Sequence, residues 1–296
     1  MKRLLAILAA LMLLIPSAMA EGKSEQKDAP KFEPLPWDVA VSPIAPHAEC
    51  YMPDNLGYHD DSLDITVETI RAYDTYVMVV RVNIVDPSQL RAVSAAPYPA
   101  KAATAVSSMA KKVKAVLAIN GDYYSFDNYK KIVMRNGKLY KELINSAYDT
   151  LVIDKNGDFH ILQQTTAEAW EAVKDDAVHA YSFGPGLVVD GVQLTDDSEV
   201  HLNIGKDRKT QRIALCQTAP LEYMIVATEG PENKDSVGLT LLEMAELCAS
   251  LGVENAYNLD GGSSSTVCMN YKKINSLSSK KVRNVGDCIW FATLVP

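Results

Sequence analysis

The chain has 296 residues, of which 48% are hydrophobic and 22% are charged, and its formal net charge is −8. These fractions are typical of globular proteins and exclude a wholly disordered or low-complexity chain. The acidic balance also argues against a nucleic-acid-binding protein, because such proteins need positive charge to meet the phosphate backbone.

The first twenty residues have the pattern of an export signal. Lys2 and Arg3 precede an apolar run from Leu4 to Ile15, and Ala18-Met19-Ala20 supplies the small residues of a cleavage site. The run is too short to cross a bilayer, which takes about 18 apolar residues or more. We therefore expect residues 1–20 to be a cleaved signal peptide. The mature chain is expected to be secreted or in the cell envelope, with no integral membrane segment.

Residues 21–46 are rich in Pro, Lys and Glu, which predicts a flexible tether. No long Pro/Gly/Ser linker follows, so residues 47–296 are predicted to form one domain. The five cysteines are widely spaced and form no C-x-x-C motif, which indicates core residues and leaves one disulfide open; they are Cys50, Cys216, Cys248, Cys268 and Cys288.

Strand patterns begin the domain. Leu63–Ile70 and Tyr76–Val85 are rich in β-branched and aromatic residues, with a break at Ala72-Tyr73-Asp74. Three later dipeptides predict type I′ hairpin turns, because Asn, Asp and Gly tolerate positive φ; they are Asn136-Gly137, Asn156-Gly157 and Asp190-Gly191.

Helix patterns are fewer. Thr104–Ala115 is one predicted helix, and Thr165 with Glu168 predicts a capping box before a second. The third should begin at Thr240, with Glu243 closing its capping box and Gly252 ending it. Strands outnumber helices and come in hairpins, so the predicted fold class is α+β, with mixed or antiparallel β-sheets and a few helices in a single domain.

Two segments join an apolar strand to a polar loop that contains glycine. One ends in Asn120-Gly121-Asp122, and the other in Asn258-Leu259-Asp260 followed by Gly261-Gly262-Ser263-Ser264. Such strand ends often carry functional sites, because a rigid scaffold positions the loop and glycine lets a ligand approach the backbone. The alternative is two ordinary tight turns. Arg212 opens a later strand and could clamp a phosphate through two hydrogen bonds.

Taken in order, these residues resemble the phosphodiester glycosidase family, whose eukaryotic member removes N-acetylglucosamine from a sugar-1-phosphodiester. The resemblance covers about Leu63 to Thr293, and the Asn-Leu-Asp-Gly-Gly-x-Ser run is its most specific part. The matching segments are Ile119-Asn120-Gly121, Ser182–Val188 with Asp190-Gly191, Gln211-Arg212-Ile213-Ala214, Gly238-Leu239-Thr240-Leu241 with Glu243, Tyr257–Ser264, Ile274-Asn275 and Arg283.

The chain departs from the family at two places. The family usually has Pro-Arg-Thr where this chain has Gln211-Arg212-Ile213, and Asp-Gly-Arg where it has Glu229-Gly230-Pro231. The Arg of the second motif is therefore missing. For this reason the substrate preference of the eukaryotic enzyme is not carried over to this chain.

The resemblance implies an exported hydrolase that cleaves a sugar-1-phosphodiester of an envelope or extracellular glycan at the glycosidic carbon–oxygen bond. Asp260 would be the carboxylate near the anomeric carbon, with Asp122 and Glu229 in reserve. Arg212, assisted by Arg283 and the amides of Gly261, Gly262, Ser263 and Ser264, would hold the phosphate. Asn120, beside Gly121, and Asn258 would bind sugar hydroxyls.

No cofactor is required by the sequence, although the oxygen ligands of Asp122, Asn258 and Asp260 would suit calcium or magnesium. Two rival functions stay open. One is a serine hydrolase that uses Ser263, Ser264 or Ser265 with one of the five histidines. The other is a non-catalytic glycan-binding protein of the envelope.

Overall fold

The computed structural model describes residues 31–123, 131–198, 200, 205–275 and 282–296. The predicted signal peptide lies outside the described residues. Three α-helices are present in the described part: α1 (Val106–Val113), α2 (Ala167–Val173) and α3 (Leu241–Ser250). The strands, in chain order, are β1 (Gly57–His59), β2 (Leu63–Ala72), β3 (Thr75–Ile84), β4 (Leu90–Ser94), β5 (Leu117–Asn120), β6 (Ile132–Arg135), β7 (Lys138–Glu142), β8 (Thr150–Asp154), β9 (Phe159–Leu162), β10 (Ala177–Tyr181), β11 (Gly186–Val189), β12 (Val192–Gln193), β13 (Ile213–Ala219), β14 (Glu222–Thr228), β15 (Asn255–Asn258), β16 (Val267–Met269), β17 (Lys272–Lys273) and β18 (Asp287–Phe291).

The strands form three sheets. The large sheet has eight strands in the order β1-β2-β3-β14-β13-β15-β11-β12, the β10 sheet has the order β7-β6-β10-β8-β9, and the β5 sheet has the order β17-β16-β5-β18-β4. Each strand pairing found in the described residues is antiparallel. The fold is therefore α+β, as predicted, and its sheets are antiparallel rather than mixed.

The central hydrophobic core lies among all three sheets. It joins Val80 and Ile225 of the large sheet, Ile119 and Phe291 of the β5 sheet, and Ile153 of the β10 sheet. Each helix covers the other face of one sheet: α3 packs on the large sheet, α1 on the β5 sheet and α2 on the β10 sheet. Burial of each large aliphatic side chain in these clusters contributes about 1.5–3 kcal/mol, so the strand ends are held on a rigid frame.

Hairpins are present at all three predicted turns, and the predicted type I′ geometry is confirmed at two of them. Asn136-Gly137 and Asp190-Gly191 have positive φ at both residues, as type I′ turns require. Asn156-Gly157 lies instead in a longer connection, in which only the glycine has positive φ. There the Asp154 carboxylate accepts the amides of Asn156 and Asp158, so a side chain organises this turn.

The capping residues explain where α2 and α3 begin and end, and the N-cap of α2 lies one residue later than predicted. Thr240 and Glu243 form the predicted capping box of α3, and Gly252 has φ of +76° just after the helix. α2 is capped by Thr166, one residue later than predicted, because its hydroxyl accepts the amide of Ala169. The hydroxyl of Thr165 donates instead to the Tyr148 carbonyl.

Residues 32–46 belong to the compact unit that starts at Phe32, so the tether predicted for residues 21–46 does not extend over this part. The buried guanidinium of Arg91 donates to the carbonyls of Leu35, Pro36 and Val39, the last two at 2.9 and 2.6 Å. Leu35 itself packs in the core beside α1. A charged side chain thus fixes a segment whose composition alone predicted disorder.

All five cysteines are free thiols, four of them buried and Cys50 half-buried. This agrees with their interpretation as core residues.

Candidate active site

The two polar loops predicted from the sequence meet in the structure. Asn120, the last residue of β5, is fully buried, and its side-chain amide donates to the carbonyls of Asp260 at 2.8 Å and Gly121 at 3.2 Å. Its side-chain oxygen accepts the amide of Thr266 at 3.0 Å. Asn120 therefore connects the end of β5 to the loop after β15. These bonds occupy both ends of the Asn120 side-chain amide. Its predicted contact with a sugar hydroxyl stays a prediction.

Asp260 is the most distinctive carboxyl group of the site. It is 2% exposed, and its Oδ2 atom has no hydrogen-bond partner within the described residues. Burial raises the pKa of Asp260 to about 6, against the lowering effects of the Ser264 hydroxyl, Arg283 and Lys131. A buried carboxyl group with an unsatisfied oxygen and a raised pKa is a candidate for a reacting group; Asp287 shares both features, but its other oxygen is bonded to Arg135.

Gly261 and Gly262, which follow Asp260, are each favoured at their position for a different structural reason. A Cβ on Gly261 would lie 2.6 Å from the Gln211 carbonyl oxygen, so only glycine permits this close approach to the backbone of the residue before Arg212. Gly262 has φ of +58°, and no atom lies within 4 Å of its Cβ position, so the loop has open space beside it. The amides of Gly262 and Ser264 donate to the carbonyls of Gln211 and Gly261. The predicted phosphate contacts of the loop amides stay a prediction.

Arg283 is the cation that the structure brings to Asp260. Its Nη1 atom donates to the Ser264 hydroxyl at 3.2 Å and lies 3.8 Å from Asp260 Oδ2. The side chain is 42% exposed, so it can also reach a bound anion. The backbone amide of Arg283 donates to the Ser263 carbonyl, which keeps the guanidinium beside the glycine loop.

Asp122 belongs to a buried charge cluster. Its Oδ1 accepts from Arg135 Nη2 at 2.9 Å, and its Oδ2 accepts the amide of Ser182 at 3.0 Å. The same guanidinium donates through Nε to Asp287 Oδ2 at 2.9 Å and stacks 3.9 Å from the Tyr181 ring centroid. Burial alone would lower the pKa of Arg135, but the two carboxylates raise it above its ordinary value.

Asp287 completes this cluster and lies against Gly121. A Cβ on Gly121 would lie 2.1 Å from Asp287 Oδ1, an atom that is buried and has no hydrogen-bond partner within the described residues. Burial raises the pKa of Asp287, although Arg135 acts in the opposite direction. Lys131, which is 3% exposed, adds positive charge near both Asp260 and Asp287.

Arg212 has a different environment from the one predicted. Its Nε donates to the Leu239 carbonyl at 2.8 Å, and its Nη2 donates to the carbonyls of Lys206 and Arg208, each at 3.1 Å. These bonds hold the segment before β13 to the residues that precede α3. Within the described residues, none of the hydrogen bonds of the Arg212 guanidinium goes to Asp260. The phosphate-binding role of Arg212 stays a prediction.

Asn258 and Glu229 lie at the same edge of the large sheet. Asn258 donates through Nδ2 to the Gly184 carbonyl at 2.8 Å, and its buried Oδ1 has no partner within the described ranges. That oxygen can accept a substrate hydroxyl. Glu229 is half-buried just after β14, and its Oε2 lies 3.4 Å from Asn233 Nδ2.

Three residues of the cluster escaped the sequence analysis: Lys131, Arg135 and Asp287. Arg135 and Asp287 each stand at one end of an otherwise apolar strand, β6 and β18. A lone charge in such a strand is a signal, since it is buried only with a partner. The partner could not be identified from the sequence, because Asp122, Arg135 and Asp287 are far apart along the chain.

Within the described residues no cluster of three or more His, Cys, Asp or Glu side chains has metal-binding geometry. Arg135 already supplies the counter-charge for Asp122, so a cation there would have to displace the guanidinium. The calcium or magnesium expectation stays untested. None of the helices in the described ranges has the length and apolar character needed to cross a membrane.

Comparisons with known proteins agree with this architecture. Residues 113–292, more than half of the chain, match the sequence model of the phosphodiester glycosidase family. The Bacillus subtilis (strain 168) SPbeta prophage-derived uncharacterized protein YomE is 28% identical over 188 residues, 62% of this chain and 29% of that protein. The chain therefore spans less than a third of the length of that curated relative.

Two solved structures share the fold. The zebrafish N-acetylglucosamine-1-phosphodiester alpha-N-acetylglucosaminidase catalytic domain, auto-inhibited by its pro-peptide, has a TM-score of 0.59 at 18% identity, over 78% of this chain and 83% of its own. A hypothetical protein from Synechocystis has a TM-score of 0.56 at 14% identity, over 78% of this chain and 62% of its own. The family match covers both polar loops and the charged cluster that they form, and on this ground the chain belongs to the phosphodiester glycosidase family.

Proposed function

We propose that this chain is an exported hydrolase that cleaves a sugar-1-phosphodiester of an envelope or extracellular glycan at the sugar carbon. The observation that carries the proposal is the buried Asp260 carboxyl group on an open glycine loop, whose Oδ2 accepts no hydrogen bond within the described residues and lies 3.8 Å from Arg283 Nη1. Membership of the phosphodiester glycosidase family supports the reaction class.

The chemistry places a modest demand on acid catalysis. Breaking the bond between the anomeric carbon and oxygen expels a phosphate monoester, whose second pKa is about 6, so this group leaves without strong protonation. The main need is a negative charge near the anomeric carbon, where positive charge develops, and a cation near the phosphate. Asp260 and Arg283, with Nη1 and Oδ2 at 3.8 Å, supply this pair of charges side by side.

Asp260 suits the carboxylate role better than the two reserves. Both oxygens of Asp122 accept hydrogen bonds from the protein, from Arg135 and from the Ser182 amide. Glu229 lies at the sheet edge beside Asn233. Of these three carboxyl groups, Asp260 combines a buried oxygen that accepts no hydrogen bond within the described residues with a position on the glycine loop.

The rival serine hydrolase lacks support from the described residues. Of the five histidines, His201 lies outside them, and each of the other four has its ring engaged with residues other than the serines. These contacts are His47 with the Val295 carbonyl, His59 with Asp64, His160 with Asp154, and His179 with the Leu90 carbonyl.

The test is hydrolysis of a panel of sugar-1-phosphodiesters in oxygen-18 water. We expect the label on the reducing sugar and an unlabelled phosphate monoester, and loss of turnover in Asp260→Asn. Label on the phosphate would overturn carbon–oxygen cleavage, and full activity of the asparagine variant would overturn the role of Asp260. Saturable binding to wall polymers without product would instead support the glycan-binding alternative. Export is tested by N-terminal sequencing of secreted protein, which should begin at Glu21; an intact Met1 would refute it.

A further inference from the structure

A cavity of about 460 Å³ is lined by none of the candidate catalytic or binding residues predicted from the sequence, although Phe183 and Pro185 belong to one of the segments that resemble the family. Its lining includes Tyr148, Asp149, Gln163, Phe183 and Pro185. The volume falls within the range of small-molecule pockets, about 300–1,000 Å³. The cavity is large enough for a monosaccharide and is not explained by the chemistry at Asp260.

The cavity walls are attached to the strand that leads into Asp260. The Tyr257 hydroxyl accepts the amide of Phe183 at 2.8 Å and lies 2.7 Å from the Asp149 carbonyl, to which it can donate. The Asn258 amide donates to the Pro185 carbonyl at 3.0 Å. Asp260 follows two residues later, and an extended chain advances about 3.5 Å per residue. Asp260 therefore lies at most about 7 Å along the chain from Asn258, the residue whose amide is bonded to the cavity wall at Pro185.

The charges around the cavity indicate a neutral occupant. Asp149 and Asp196 are carboxylates of the lining, which disfavours a phosphate inside it. The positive groups lie at the border with the site: Lys131 Nζ is 5.7 Å from the Tyr148 ring centroid and 5.8 Å from that of Phe183. A phosphate between Lys131 and Arg283 would leave the uncharged part of the substrate in the cavity.

We propose that this cavity binds the saccharide that hydrolysis releases, with its C–H face against Tyr148 and Phe183. The inference rests on the proposed function, because it puts the anomeric carbon at Asp260. A pyranose has apolar ring faces and peripheral hydroxyls, which match two aromatic rings and the polar side chains of Gln163 and Asp196. The Oδ1 of Asn258, which accepts no hydrogen bond in the described part of the chain, is one further acceptor near the cavity edge.

The test fills the cavity and measures saccharide binding without any reaction. Gln163 is exposed and lines the cavity, so Gln163→Trp should occupy it without disturbing the core. Val192 is exposed and lies outside the lining, so Val192→Trp is the matched control. Saturation-transfer NMR uses the methyl α- and β-glycosides of glucose, N-acetylglucosamine, galactose and mannose as probes.

At least one glycoside should bind the wild type and Val192→Trp with equal affinity. Its affinity should fall at least tenfold in Gln163→Trp, at an unchanged melting temperature. No binding by the wild type, or equal binding by Gln163→Trp, overturns the cavity proposal. If binding follows this pattern but no phosphodiester is hydrolysed, the proposed function fails and the saccharide site stands. If Gln163→Trp hydrolyses phosphodiesters at the wild-type rate, the cavity proposal fails and the function stands.

Discussion

Replacement of Asp260 with asparagine should abolish hydrolysis and at the same time stabilise the folded protein. The carboxyl group is 2% exposed and its Oδ2 accepts no hydrogen bond within the described residues, so burial penalises its charge more than the half-exposed Arg283 guanidinium at 3.8 Å offsets. Asparagine has nearly the same shape but carries no charge that burial would penalise. The expected gain in stability comes from removing a group that serves the reaction rather than the fold.

The size of the effect follows from the pKa. Burial raises the pKa of Asp260 from 3.8 to about 6, and each unit corresponds to about 1.4 kcal/mol, so ionisation lowers the unfolding free energy by about 3 kcal/mol. Because the folded-state pKa is raised, protonated Asp260 contributes its full share of the unfolding free energy below pH 3.8. That contribution is lost as the pH rises through about 6. The advantage of Asp260→Asn should therefore be near zero at pH 4 and approach about 3 kcal/mol at pH 8.

Urea denaturation of both proteins between pH 4 and pH 8 measures this difference. Asp175→Asn, a change at an exposed carboxyl group, should alter the unfolding free energy by less than about 0.5 kcal/mol and serves as the control. An Asp260→Asn variant that is less stable than the wild type at pH 8, or whose advantage does not change with pH, would refute the reasoning. Hydrolysis by the wild type should rise with pH through about 6, as Asp260 ionises.

Three further substitutions test the architecture of the site. Arg135→Met should lower the unfolding free energy by about 3–5 kcal/mol in urea denaturation, because two buried carboxylates lose their counter-charge. The control is Arg81→Met, at an exposed ion pair, which should lower the unfolding free energy by less than about 1 kcal/mol. Gly121→Ala should lower both the melting temperature and the turnover rate, since its Cβ would lie 2.1 Å from a carboxylate oxygen; Gly205→Ala, with its nearest atom at 3.5 Å, should change neither. Arg212→Ala should lower the unfolding free energy by about 2–4 kcal/mol, because several carbonyl groups lose their charged donor.

Each of these three expectations has a contrary result. Equal losses of unfolding free energy in Arg135→Met and Arg81→Met would mean that the buried cluster contributes no more to stability than a surface ion pair does. Normal turnover in Gly121→Ala would show that the contact with Asp287 can relax without consequence. An Arg212→Ala variant with wild-type stability and no hydrolysis would favour the phosphate-clamp role predicted from the sequence over a structural one.

The sequence by itself determined the features that depend on local backbone chemistry. The Asn136-Gly137 and Asp190-Gly191 turns, and the cap of α3 at Thr240, follow from residue types that tolerate positive φ or accept amide hydrogen bonds. The run after Asn258 marked the site for the same reason, because Gly261 and Gly262 allow a close approach and an unusual φ. The family assignment rested on these short motifs and is confirmed by the family match.

Only the tertiary structure decided which charges face each other. Asp122, Arg135 and Asp287 are brought together by strands of two different sheets, so no spacing in the chain encodes their contact. Likewise Arg212 looked like an anion ligand from its residue type, but in the folded chain its guanidinium is surrounded by backbone carbonyl groups. A residue type limits what a side chain can bind, whereas the packing of distant segments selects its partners, because burial makes a charge costly unless a partner is near.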